Sequence, residues 1–145
     1  MFRLEIRHNL EMAHRFWQAE NSPKCRSIHG HSWQIILTLH SPQLDQQGMV
    51  IEFGQLKLVW RAWLDQYLDH ALVLCEADPF VKLLQASDPD LRLFTLATDP
   101  TTECLAEFLY HQASHILRDV NADPRIQVER IRIEETAVNS AEYWG

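Results

Sequence analysis

Residues 2–14, FRLEIRHNLEMAH, and residues 29–39, HGHSWQIILTL, decide the fold. In the first stretch Phe2, Leu4, Ile6, His8, Leu10, Met12 and His14 share one parity, while Arg3, Glu5, Arg7, Asn9 and Glu11 share the other. Successive side chains of a β-strand point to opposite faces, so this alternation predicts a half-buried strand. In the second stretch His29, His31, Trp33, Ile35, Leu37 and Leu39 alternate with Gly30, Ser32, Gln34 and Thr38, which predicts another strand with one apolar face. Glu20-Asn21-Ser22-Pro23-Lys24 reads as the loop between them.

Beyond Ser41-Pro42 and Gln47-Gly48 the period changes. Leu56, Val59, Trp60, Trp63, Leu64, Tyr67 and Leu68 mark one face of a helix. A shorter helix is expected over Phe80 to Gln85, after Asp78-Pro79. Another starts at Asp99-Pro100-Thr101-Thr102-Glu103, with Asp99 or Thr101 as N-cap, and its buried stripe continues through Leu105, Phe108, Leu109, Ile116 and Leu117. The run IQVERIRIEET at 126–136 is strand-like, but its apolar parity switches across Glu129-Arg130, which suggests a bulge. With Ala141 to Trp144 as a last short strand, and leaving aside the shorter helix, the order is β-β-α-α-β-β. Strands at both ends with helices between them indicate an α+β class, an antiparallel sheet covered by helices on one face.

Composition narrows the function. The chain has 145 residues, 46 % hydrophobic and 23 % charged, which fits one globular domain spanning 1–145. Twenty acidic against 13 basic residues give a net charge of −7, opposite to the basic excess of a protein that grips nucleic acid through phosphates. No apolar run approaches a membrane span, and the N-terminus mixes charged with apolar residues, so a soluble, cytoplasmic protein without membrane partners is expected. Cys25, Cys75 and Cys104 are widely spaced and odd in number, which argues against a disulfide framework.

Eight histidines are many for this length. His29 and His31, two apart on a strand, project from the same face, and His14 joins them if its strand pairs with the second. Three imidazoles and an open position are a known way to hold catalytic zinc; the alternative is ordinary polar residues at strand ends. Cys25, four residues before His29, lies between Lys24 and Arg26, and neighbouring positive charge favours a reactive thiolate; alternatively it is a loop cysteine without a role. Cys75 and Cys104 read as small core residues. Asp69-His70 could pair as an oriented proton carrier or simply end a helix. His111 and His115, spaced i, i+4, read as a solvated helix face. Glu135 shares parity with Ile131 and Ile133, and an inward carboxylate needs a partner: an internal base, or a ligand with paired N–H donors.

Six motifs in order, MAH at 12–14, C-x-x-x-H-G-H at 25–31, GMVIEF at 48–53, LDH at 68–70, PTTE at 100–103 and EET at 134–136, resemble the 6-pyruvoyltetrahydropterin synthase and 6-carboxytetrahydropterin synthase family along nearly the whole chain. The resemblance implies a tunnelling fold, in which subunits join edge to edge into trimers and two trimers stack into a homohexamer with active sites between subunits. It implies that His14, His29 and His31 bind Zn2+, that Cys25 is the catalytic base, and that Asp69 and His70 form a proton relay from a neighbouring chain. Glu135 would anchor the pterin, with Thr101 and Thr102 near its ring.

The implied substrate is 7,8-dihydroneopterin triphosphate. Three residues between Cys25 and His29 resemble the bacterial 6-carboxytetrahydropterin synthases of queuosine biosynthesis, which release acetaldehyde and triphosphate, whereas mammalian pyruvoyl enzymes space these residues more widely. The other readings are a 6-pyruvoyltetrahydropterin synthase, a paralogue with altered pterin substrate, and a non-catalytic zinc-containing pterin-binding module. The chain departs from the family pattern at Glu52-Phe53, where the family has Asp-Phe, and at Val73-Leu74, where it has Leu-Asn. Lys24, Arg26 and Arg15 are the candidate bases for the triphosphate.

Overall fold

The two alternating stretches form the centre of the sheet. In the computed structural model, which describes residues 1–120 and 122–145, the elements are β1 (Phe2–His14), α1 (Pro23–Arg26), β2 (His29–Ser41), α2 (Phe53–Tyr67), β3 (Leu72–Cys75), α3 (Pro79–Ser87), β4 (Leu93–Leu96), α4 (Thr102–Asp119), β5 (Gln127–Glu134) and β6 (Ser140–Trp144). The sheet order is β4-β3-β1-β2-β5-β6. β1 and β2 are antiparallel, with Leu10 opposite Trp33, Met12 opposite His31 and His14 opposite His29.

The helices cover the face that the alternation makes apolar. Leu56, Trp60 and Leu64 of α2 and Leu105, Leu109 and Leu117 of α4 pack with Leu10, Trp33, Ile35 and Leu37 of the sheet in one core. Burying a side chain of this size contributes roughly 1.5–3 kcal/mol, so this face orients the whole sheet. Both helix starts are capped. The Glu52 carboxylate accepts from the Gly54 and Gln55 N–H groups at 2.7 and 2.8 Å, which gives the departure from Asp-Phe a local task. Thr101, one of the two residues expected there, caps α4 by accepting from the Cys104 N–H at 3.2 Å.

The expected bulge is present. On β5 the partner of Thr38 is Arg130 but that of Leu39 is Val128, so Glu129 is the extra residue. That shift buries Val128 as well as Ile131 and Ile133, although their parities differ.

The α+β class and the strands at both chain ends stand as expected, but the antiparallel β-β-α-α-β-β order omits part of the sheet. β3 pairs with β1 in parallel, through Ala13 with Leu72 and His14 with Val73, and β4 pairs in parallel with β3, so the sheet is mixed. These strands have four residues each, and Val73, Leu74 and Cys75 are all buried. A short strand covered on both faces shows no alternation to read. Among the described residues no helix is long and apolar enough to cross a membrane.

Candidate metal centre

β1 ends and β2 begins at the same level of the sheet, so pairing brings His14, His29 and His31 together on the helix-covered face. Their ring centroids lie 4.5 Å (His14–His29), 5.0 Å (His29–His31) and 5.4 Å (His14–His31) apart. One ligand atom from each lies within 4.8 Å of the other two. Trp33 and Phe16 stand edge-on to His14, each with its ring centroid 4.9 Å away, and wall the cluster.

Backbone carbonyls set the tautomers. His14 Nδ1–H donates to the Pro100 carbonyl at 2.9 Å, and His29 Nδ1–H donates to the Ser27 carbonyl at 2.7 Å. Such outer partners fix ring orientation and leave Nε2 as the ligating atom. The two Nε2 atoms then face each other 3.1 Å apart, while His31 Nε2 is buried without a hydrogen-bond partner. Burial pushes the His14 imidazole down to about 4, aided by the charges of His29 and His31 and opposed by the bond to Pro100, so it is neutral at pH 7. Neutral imidazoles whose lone pairs converge repel unless a cation lies between them. Two nitrogens on a tetrahedral zinc would stand roughly 3.3 Å apart, close to the spacing found. The residues therefore fit a first-row metal ion.

Glu135, just beyond β5, flanks this cluster. Its Oε1 lies 3.6 Å from His14 Nε2 and 3.8 Å from His31 Nε2, and the Thr102 hydroxyl donates to it at 3.3 Å. Of the two candidate threonines, Thr102 therefore reaches the site with its hydroxyl, whereas Thr101 uses its own to cap α4. Cys25 lies in α1 and its thiol is outside the ligand cluster. Its carbonyl accepts from the Phe16 N–H at 2.8 Å, which ties α1 to the chain just past His14. Lys24 and Arg26 are exposed on either side.

Arg15 is not a free base. Its guanidinium makes two bonds, of 2.7 and 2.6 Å, to the buried Asp78 carboxylate and lies 3.5 Å over the Phe80 ring. Burial alone would raise the Asp78 carboxyl, but the bonds from Arg15 and the Phe80 N–H and the Arg15 charge outweigh it and hold it below the usual range. The expected triphosphate role of Arg15 is thus replaced by a structural one. The partner 63 residues away gave no local signal.

Asp69 and His70 do pair, on the other face of the same two strands. His70 Nδ1–H donates to Asp69 Oδ2 at 2.7 Å, and the Glu11 N–H donates to Asp69 Oδ1 at 3.1 Å. Burial raises the Asp69 carboxyl, but these two bonds, with the charges of His70 and His8, bring it below its ordinary value. His70 has φ of 58°, a left-handed conformation that costs a non-glycine residue about 1 kcal/mol. Together with Glu11, Gly30, Ser32 and Arg92, and with Met12 and His31 of the two strands, it lines a cleft of about 470 Å³. Sequence reading did not single out Glu11, Ser32 or Arg92, because only the tertiary fold brings them to His70.

Fold and site together define an α+β protein with a three-histidine centre at the meeting ends of paired strands and a carboxylate at its rim. The 6-pyruvoyl tetrahydropterin synthase family model matches residues 3–145, and the chain belongs to that family of pterin synthases. A 6-carboxy-5,6,7,8-tetrahydropterin synthase of Rickettsia bellii is 27 % identical over 136 residues, covering 94 % of this chain and 95 % of the relative. One from Aquifex aeolicus is 28 % identical, covering 83 % and 75 %. The 6-pyruvoyl tetrahydropterin synthase of Caenorhabditis elegans superposes with a TM-score of 0.72 at 23 % identity over 99 % and 95 % of the chains. An uncharacterized Wolinella succinogenes protein gives 0.78 at 21 % over 99 % of each. The fold is the one these structures share, as the motif resemblance implied.

Proposed function

We propose that this protein is a zinc-dependent 6-carboxy-5,6,7,8-tetrahydropterin synthase, converting 7,8-dihydroneopterin triphosphate and water to 6-carboxytetrahydropterin, acetaldehyde and triphosphate in queuosine and 7-deazapurine biosynthesis. The observation that carries the reading is the convergence of three imidazole Nε2 atoms beside the Glu135 carboxylate, in a chain with curated relatives of that name. His14, His29 and His31 would hold the zinc, which would supply Lewis acidity to the oxygens of the substrate's hydroxylated side chain.

The chain's own residues do the rest. Glu135 accepts from the pterin ring N–H and amino group, held by Thr102, with Thr101 at the adjoining helix start. Cys25 takes a proton from the side-chain carbon as general base. Lys24 and Arg26, exposed beside it, draw in the triphosphate. Phe16 and Trp33 keep water from the buried His14. His70, with Nδ1–H committed to Asp69, presents Nε2 for proton exchange at a substrate oxygen.

Because the relay and the imidazoles occupy opposite faces of the β1–β2 pair, we infer that His70 serves another copy's centre. An assembly by strand edges suits this arrangement: β1 pairs with β3 only through Ala13 and His14, so its outer edge from Phe2 to Glu11 has no ladder partner among the described residues. The homohexamer and the cytoplasmic location belong to the same proposal, and three free cysteines suit a reducing compartment.

The deciding experiment is mass-spectrometric product analysis after incubating zinc-loaded protein with dihydroneopterin triphosphate. The reading predicts 6-carboxytetrahydropterin with stoichiometric acetaldehyde. A product retaining the three-carbon side chain would assign a pyruvoyl-type reaction instead, and no turnover with zinc bound would point to a binding module.

A further inference from the structure

The Asp69–His70 turn has an unusual support. α2 has no basic residue in its last turn, so its terminal carbonyls lack a cation from their own helix. Arg92, the residue before β4, supplies one from 23 to 27 residues further along the chain. Its Nη2 donates to the carbonyls of Asp65 and Gln66 at 2.8 and 2.9 Å, and its Nε donates to the Asp69 carbonyl at 3.0 Å. The Asp69 carbonyl belongs to the peptide unit that leads into His70, the residue with positive φ. On the other side, the His70 N–H donates to the Glu11 carbonyl at 2.7 Å and the Glu11 N–H donates to the Asp69 carboxylate. The turn is therefore clamped between the β1 edge and one guanidinium.

A strained backbone persists only where its surroundings over-determine it. Three carbonyls taken by one planar fork meet that requirement, and a lysine ammonium cannot reproduce the geometry. We propose that Arg92 is a positioning residue for the proton relay, holding the His70 turn so that the imidazole stays against Asp69 and faces the cleft. Arg92 is exposed and packs into no core, so its effect on folding is small beside its effect on the orientation of His70. This inference rests on the reading of His70 as the relay.

The test compares R92A in two backgrounds, wild type and H70A, by steady-state kinetics on zinc-loaded protein. In the wild-type background R92A lowers kcat about 100-fold, the scale of a misplaced catalytic group. KM stays within about 2-fold, since no ground-state binding is removed. R92K falls between the two, and added guanidinium restores part of the R92A loss. In the H70A background R92A costs nothing further, because a residue acting through His70 has no effect once the imidazole is gone. An equal loss in both backgrounds, or wild-type kcat in R92A, would overturn the inference. Should R92A not fold, R92K carries the same comparison. H70A with wild-type turnover would instead refute the relay reading on which the inference stands.

Discussion

The three-histidine cluster and the Asp69–His70 cleft lie back to back on the same two strands, yet they are built differently. His14, His29 and His31 hang from regular strands; the His14 side chain is fully buried and its ring is fixed by the Pro100 carbonyl. His70 sits on a left-handed turn with its side chain 71 % exposed, held by groups from β1, the α2 end and the β4 start. The first site gathers its donors within one chain. The second turns outward, as a group must if it acts on a substrate held by another copy.

The comparison breaks most severely at His14. Replacing it with alanine removes the fully buried donor, so bound zinc and turnover are both lost, beyond the roughly 100-fold cost of an outer partner; metal analysis after dialysis checks this. Cys25→Ala separates chemistry from metal binding. Turnover drops by about 10²–10⁴-fold while zinc content is unchanged, as expected of a general base outside the ligand set; unaltered activity would remove Cys25 from the mechanism.

Acid sharpens the contrast in the metal-free protein. The His14 imidazole lies at about 4 when folded, against 6.5 unperturbed. Above pH 6.5 both folded and unfolded forms are neutral, and stability is full. As pH falls from 6.5 towards 4 the unfolded chain takes up a proton that the folded one refuses, costing about 3 kcal/mol by the lower end. Urea unfolding across that range measures the slope, and His14→Gln removes this component. The smallest effect is expected at Thr101→Ala, which deletes the α4 cap for about 1 kcal/mol and leaves zinc in place.

How much of this was legible in sequence follows from the range of the interactions. Alternation in β1 and β2 places His14, His29 and His31 on one face because strand parity is local, and the parity switch at Glu129 reveals the bulge for the same reason. Asp69 and His70 are neighbours in the chain, so their pairing was open to proposal, although the positive φ that permits it was not. β3 and β4 were missed because four-residue strands leave too few positions for a period. Arg15 and Arg92 were misread or passed over because Asp78 and the α2 carbonyls that they bind lie far away in the chain. Local pattern thus brought the three histidines together, whereas the supports of the Asp69–His70 turn needed the fold.

The division of labour between the two faces has one direct measurement. A subunit carrying His31→Ala is inactive alone, and one carrying His70→Ala keeps only a residual turnover. Co-expressed with different tags and purified as mixed oligomers, they pair an intact metal centre with an intact relay at roughly a quarter of sites if assembly is random. Recovery of about that share of wild-type turnover is the predicted result. Mixed oligomers that remain as inactive as either parent would contradict a relay that works between copies.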